Sequence, residues 1–174
     1  MPKRLFKQWL PNDKTLKEDP QINFALGSDI NEPRLWSLTR HAIARAVFIG
    51  LFCSFLPIPF QMIVAAFVAY YAKANLPLSI SLVWISNPIT IVPIMYSSYY
   101  IGSQLLGTEI MRFGDILSVS WLWDNIGTYW QPLLLGSFIN GLTSAIIGYW
   151  VIQSLWKWSI LRSWKQRQLK LKLK

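Results

Sequence analysis

The sequence predicts an all-α integral membrane protein built of broken or re-entrant hydrophobic helices plus a C-terminal spanning helix, with basic amphipathic ends. Three observations predict it. Of 174 residues, 53% are hydrophobic, 15% aromatic and only 14% charged, which lies outside ordinary soluble composition. The charges are segregated: between Arg45 and Lys73 the ionisable side chains are Cys53, Tyr70 and Tyr71 alone, and 78–106 contains no Lys, Arg, Asp, Glu or His. Each of these two apolar blocks is also interrupted near its middle, at Pro57 and Pro59 in the first and at Ser86-Asn87-Pro88-Ile89-Thr90 in the second. A proline there removes a backbone donor and clashes with the carbonyl one turn back, so an interruption within lipid has to be shielded by protein.

In chain order, an N-terminal region (1–33) comes first. Leu5, Phe6, Trp9 and Leu10 share one helical face among Lys3, Arg4 and Lys7, suited to an anionic leaflet, and Pro11 stops the run. Residues 12–33 are mixed and polar, and a cytoplasmic helix or loop is expected there. The membrane domain (34–156) opens with a juxtamembrane helix in which Arg34, Arg40, His41 and Arg45 sit at the phosphate layer and set topology.

Block one (46–72) is longer than the roughly 20 residues an untilted helix needs to span a bilayer, but its prolines divide it into halves too short to cross separately. One kinked rod and a hairpin returning to the same side both satisfy it. Block two (78–106) breaks more specifically. Asn87 is steered from helical dihedrals by Pro88, is a preferred N-cap, and is followed by a proline suited to a first helical position. A helix restarting there turns backbone N–H groups and a positive dipole end toward whatever precedes it. A weak internal echo pairs Pro59 with Pro88, Gln61 with Thr90, and Tyr70-Tyr71 with Tyr99-Tyr100.

The connector (107–132) mixes Glu109, Arg112, Asp115 and Asp124 with Trp121, Trp123 and Trp130, as in an interfacial loop or a helix lying flat. Block three (133–156) is an ordinary spanning candidate. Gly136, Asn140, Ser144 and Gly148 recur every fourth residue beside Ser137, Gly141 and Ala145, giving a small-residue face with Asn140 as interhelical glue. The polybasic tail (157–174) holds Lys165 and Arg167 among its basic residues and has no acid. It is placed to meet anionic lipid headgroups.

Both ends are basic, within a net charge of +9, so both are expected in the cytoplasm and the number of crossings should be even. Three blocks each crossing once would give an odd number. The conflict resolves if block one is re-entrant, block two crosses outward and block three returns. One cysteine permits no intrachain disulfide, and the polar start is unlike a cleavable secretory leader.

The run from Pro33 to Gly107 also carries a resemblance. Pro33-Arg34-Leu35-Trp36, Arg40 with Arg45, Gly50-Leu51-Phe52 leading to Leu56-Pro57-x-Pro59-x-Gln61-Met62, Asn75-Leu76-Pro77 and Trp84-Ile85-Ser86-Asn87-Pro88-x-Thr90 resemble a bacterial inner-membrane family catalogued as the domain of unknown function numbered twenty sixty-two. Phe60 departs from the smaller or aliphatic residue expected at its position. The resemblance implies a multi-pass protein of the bacterial inner membrane and brings no substrate, cofactor or catalytic residue to transfer.

The leading functional expectation is a non-enzymatic membrane protein that binds or translocates a small or lipid-linked anion. Its site would be built from Pro57, Pro59, Gln61, Asn87, Pro88 and Thr90, with Arg45 nearby, because uncharged amides beside a helix start can hold an anion without a buried permanent charge. The bland reading of the same residues is that they satisfy backbone groups freed by the prolines. The rival class is a scaffold or assembly protein holding partners or anionic lipids through its basic ends; a homo-oligomer or a membrane-protein partner fits either class. An enzyme is not expected: the one histidine lies outside the apolar blocks, no acid lies inside them, and no phosphate-binding, dinucleotide-binding, zinc-protease or nucleophile motif occurs. No cofactor, no metal and no nucleic acid is expected.

Overall fold

In the computed structural model, residues 13–108 and 119–172 are described, and every regular element among them is helical. The order is α1 (Asp13–Glu18), α2 (Pro20–Leu26), two 3-10 turns (Gly27–Asn31 and Pro33–Trp36), α3 (Arg40–Phe55), α4 (Gln61–Tyr71), α5 (Leu76–Val83), α6 (Ile91–Leu106) and α7 (Val119–Lys172). The N-terminal amphipathic run and the first part of the connector lie outside the described residues.

Block one doubles back on itself. Thr39 starts α3 by accepting the Ala42 N–H at 3.3 Å. The helix stops at Leu56, held extended (φ −77°, ψ 131°) ahead of Pro57, as a residue before proline prefers. Phe60 then turns the chain through the left-handed region at φ 59°, an uncommon conformation for a bulky residue, and α4 runs back beside α3. At its end Lys73 is also left-handed (φ 51°). The Lys73 and Ala74 N–H groups close on the Tyr70 and Ala69 carbonyls, satisfying helix-end acceptors without a glycine.

The return is locked at the base of the hairpin. Asn75, 1% exposed, gives its backbone N–H to the Ala42 carbonyl at 3.1 Å and its side-chain N–H to the Ser37 carbonyl at 3.1 Å. Its Oδ1 accepts from Leu78 N–H at 3.0 Å and caps α5. Beside it, Arg45 Nη1 donates to the Ala72 carbonyl at 2.7 Å, a cation at the negative end of α4. The backbone of block one is thus a helix–turn–helix pair closed at its base.

From this base α5 runs alongside α3. Gly50 faces Ser79 and Leu82 so closely that an added Cβ would stand 2.6 Å from the Ser79 carbonyl oxygen. After the second interruption α6 continues in the same sense. Both α3 and α6 are antiparallel to α7 and lie end to end along it. Arg40 Nε donates to Gln153 Oε1, Gly148 faces Val47 and Leu51, and Gly141 faces Phe52 and Phe55. Farther along, Asn140 Nδ2 donates to Ser97 Oγ at 3.1 Å, Gly136 meets the Ser98 backbone, and Gly102 meets that of Pro132. The small-residue stripe of block three is therefore the packing face, and Asn140 is its interhelical bond.

Two segments are more ordered than their composition suggested. Residues 13–36 form a strap over α4, with Ile22, Leu26, Ile30 and Leu35 buried in one cluster with Ala65, Ala66 and Ala69. Trp36 Nε1 fixes the strap by donating to the Ile30 carbonyl at 2.9 Å. The segment 119–132, assigned to the connector, is instead the first part of α7. Pro132 lies inside that helix and is fully buried at the α6 crossing. Among the described helices, α7 is the one long and apolar enough to cross a membrane, over Tyr129–Arg162.

The crossing is tight enough to test directly. A Cβ at Gly136 would come 1.7 Å from the Ser98 carbonyl oxygen, whereas one at Gly127 would meet nothing. Gly136→Ala should destabilise the purified protein by about 1–3 kcal/mol or more through overpacking. Gly127→Ala should leave its melting temperature unchanged or raised, by roughly the 1 kcal/mol that alanine gains over glycine in a helix.

Candidate functional site

The two proline interruptions meet. At one level of the bundle α3 and α5 end while α4 and α6 begin, and side chains from the loops join them. Ser86 Oγ shares its proton between Gln61 Oε1 at 3.0 Å and the Val83 carbonyl at 2.8 Å. Gln61 Nε2 donates to the Leu56 carbonyl, freed where Pro57 stops α3. The helix restarts later than the sequence predicts: Pro88 sits in a turn, α6 begins at Ile91 with Thr90 at its N-cap position, and Asn87 caps the turn instead, its Oδ1 accepting the N–H groups of Ile89 at 2.9 Å and Thr90 at 3.0 Å. The Thr90 hydroxyl accepts the Asn87 N–H at 3.0 Å and donates to the Ile85 carbonyl. The Ile91 N–H reaches the Asn87 carbonyl at 2.8 Å.

Apart from the Ser86–Gln61 side-chain bond, each of these bonds quiets a backbone group that the interruptions would leave bare, so satisfying freed backbone is a large part of what Gln61, Asn87 and Thr90 do. Beside these bonds the junction borders an open cavity of about 370 Å³ whose walls include Gln61, Asn87, Pro88 and Ser86, together with Gln21 from the strap and Trp84. That volume lies within the usual range for small-molecule sites. Asn87 spends its oxygen on capping, which leaves its amide N–H groups for a ligand. Gln61 spends one of two amide hydrogens on Leu56 and keeps the other.

The remaining expected residues separate. Pro57 and Pro59 shape the turn but do not line the cavity, and Thr90 is consumed by backbone. Arg45 is not nearby: it sits on the lower half of α3, about 15 Å of helix rise from the break, holding Ala72. Arg34 pairs with Glu32 at 3.5 Å on an exposed edge, Arg40 bonds Gln153, and His41 is exposed; all three lie with Arg45 at the base of the hairpin. Lys165 and Arg167 belong to the last turns of α7, and their side chains are outside the described residues. No group of three or more potential metal ligands occurs among the described residues.

Residues 25–165 match a bacterial protein family described as an uncharacterized protein conserved in bacteria, DUF2062. The chain belongs to that family. No curated protein and no solved structure matches it, so within DUF2062 the junction has to be interpreted from its own chemistry. Gln21 and Ser86 were not among the residues singled out from sequence. Ser86 stood within the interrupted run, but its partner lies on the other block, and Gln21 sits in a segment with no apolar signature beyond Ile22, Leu26 and Ile30.

The capping oxygen and the amide N–H groups of Asn87 can be separated. Asn87→Ala should lower stability by about 1–2 kcal/mol through loss of the oxygen that caps the turn into α6. Asn87→Asp, which keeps the accepting oxygens, should recover most of that loss in a detergent-solubilised melt. Equal losses in both variants would show that the cap is not the source of the effect.

Proposed function

We propose that this member of DUF2062 is a multi-pass protein of the bacterial inner membrane that binds a small or lipid-linked ligand where its two interrupted segments converge. The observation that carries the reading is the shared cavity: two breaks far apart in sequence contribute Gln61 and Asn87 to one set of walls. In discontinuous transport helices such breaks mark binding sites, and this placement is what separates a site from two unrelated kinks.

The proposed bilayer position follows from α7. Between Trp130 and Gln153 that helix rises about 35 Å, comparable with a hydrocarbon core of about 30 Å. The junction packs near Asn140 and Gly141, roughly halfway. Large apolar side chains including Phe138, Ile147, Trp150 and Leu155 project outward from α7, as lipid contact requires. In this frame α3 and α4 form a re-entrant hairpin from the cytoplasmic side, α5 with α6 crosses, α7 returns, and both termini are cytoplasmic.

The strap sets the character of one flank. It brings Asp19, capping Gln21 N–H at 2.9 Å, toward the level of the breaks. A charged residue at mid-bilayer on lipid would cost at least about 2.5–3.5 kcal/mol. The strap flank is accordingly a hydrated vestibule open to the cytoplasm, while the opposite flank of the junction faces hydrocarbon.

The test is co-purification. Protein washed with carbonate should stay with the membrane fraction, and after gentle extraction mass spectrometry should find a near-stoichiometric small or lipid-linked compound on the wild type. Ile58→Trp, which adds bulk at an exposed position of the cavity wall, should lose that compound while keeping the wild-type melting curve. Release by carbonate, or equal retention of the compound by the filled variant, contradicts the reading.

A further inference from the structure

We infer that the ligand of this junction is an uncharged amphiphile, a lipid whose head presents hydroxyl, ester or amide oxygens and carries no net charge. The inference rests on the binding reading above and adds the chemical class. Among the described residues lining the cavity none is ionisable; the polar ones are Gln21, Gln61, Ser86 and Asn87. A charged head would enter without a counter-charge, a costly burial. Neutral oxygens need only the amide hydrogens that Asn87 and Gln61 retain.

The backbone adds little field of its own. The end of α5 at Val83 and the starts of α4 at Gln61 and of α6 at Ile91 border the cavity, so helix-end partial charges of opposite sign offset one another in part. The N–H groups of the turn leading into α6, on Asn87, Ile89, Thr90 and Ile91, are taken by Thr90 Oγ1, Asn87 Oδ1 and the Asn87 carbonyl. Arg45, the cation expected to serve the site, holds Ala72 at the hairpin base. The strap residue just before its cavity-lining Gln21 stretch, Asp19, is an acid, which disfavours a second negative charge.

The apolar half of the ligand is indicated by a collar around the cavity. Phe60 (65% exposed), Trp84 (67%) and Ile89 (86%) stand out from the loops, with Ile58, Ile85 and Ile91 beside them. Four of the six also line the cavity wall, so the apolar surface runs continuously from inside to out. On the other flank the wall is the strap's Gln21. An amphiphile lying across this boundary places its head among the amides, toward the vestibule, and its chain along the collar, toward hydrocarbon.

The full-length protein in nanodiscs of phosphatidylcholine distinguishes the possibilities with two photoactivatable probes of identical diazirine-bearing chain, a monoacylglycerol and a lysophosphatidic acid. The monoacylglycerol should label the peptides holding 58–62 and 84–91 at least tenfold more than the lysophosphatidic acid. Its labelling should fall at least fivefold in Asn87→Asp, which keeps the cap but replaces the donor, and measurably in Gln21→Glu. Preferential labelling by the lysophosphatidic acid overturns the uncharged class while leaving a binding site in place. Undiminished labelling in both variants also overturns it, because the amides then contribute nothing. Absence of labelling by either probe at these peptides removes the binding reading itself.

Discussion

The fold depends on a lock at the base of the first hairpin, where Asn75 ties the end of block one to its beginning. Its backbone N–H closes on Ala42, its side-chain N–H on Ser37 and its Oδ1 on the start of α5, while its own carbonyl accepts from Ser79 Oγ at 3.0 Å. The Asn75 side chain is buried, and a buried polar group left unmatched costs about 1–3 kcal/mol, so breaking one of these bonds is costly. With the base closed, the turn at Phe60 must stand at the far end of α3, and α5, starting from the same base, must bring its own interruption to the same level. Convergence of the breaks is a consequence of the lock.

The junction that results is quieter than a set of broken helices suggests in isolation. Each interruption exposes carbonyls at a helix end and N–H groups at a helix start, and the chain satisfies most of them with Gln61, Ser86, Asn87 and Thr90. What is left is a small open cavity without an ionisable side chain, with spare amide hydrogens and a rim of aromatic and isoleucine side chains. The same residues thus serve stability with one set of atoms and, in the proposed site, recognition with another. Phe60 belongs to both accounts: its left-handed backbone turns the hairpin, and its side chain, larger than the family resemblance anticipates, joins the exposed rim.

Much of this was legible in the residues. The prolines marked the breaks, the Asn87-Pro88 pair marked the capped turn although α6 itself begins only at Ile91, and the spacing of Gly136, Asn140 and Gly148 marked a packing face that the structure uses against α6 and α3. Block one folds back on itself at the turn its two prolines marked. Long-range pairings with backbone carbonyls were not legible. Arg45 pointed to an anion because no side chain in the sequence announces that Ala72 carbonyl is its partner. Asn75 read as punctuation before Pro77, and its bond to Ser37 spans 38 positions. The strap was missed because Ile22, Leu26 and Ile30 recur every fourth residue amid polar neighbours, a faint stripe whose partner, the Ala65-Ala66-Ala69 face, carries no marked residue. Val119–Trp130 read as connector because aromatics and acids mask helical periodicity there, and α7 absorbs Pro132 only where α6 packs over it.

The most direct test of the closed hairpin is the distance between its two feet. Spin labels on His41→Cys and Lys73→Cys, both exposed positions, in a Cys53→Ala background and in lipid nanodiscs, can be measured by double electron–electron resonance. A closed base, with Ala42 and Asn75 bonded at 3.1 Å, places the labels within about 20 Å of each other once linker lengths are allowed for, since contacting helices lie only about 8–10 Å apart. A distance near the roughly 48 Å that a continuous helix over the same residues would span would contradict the account.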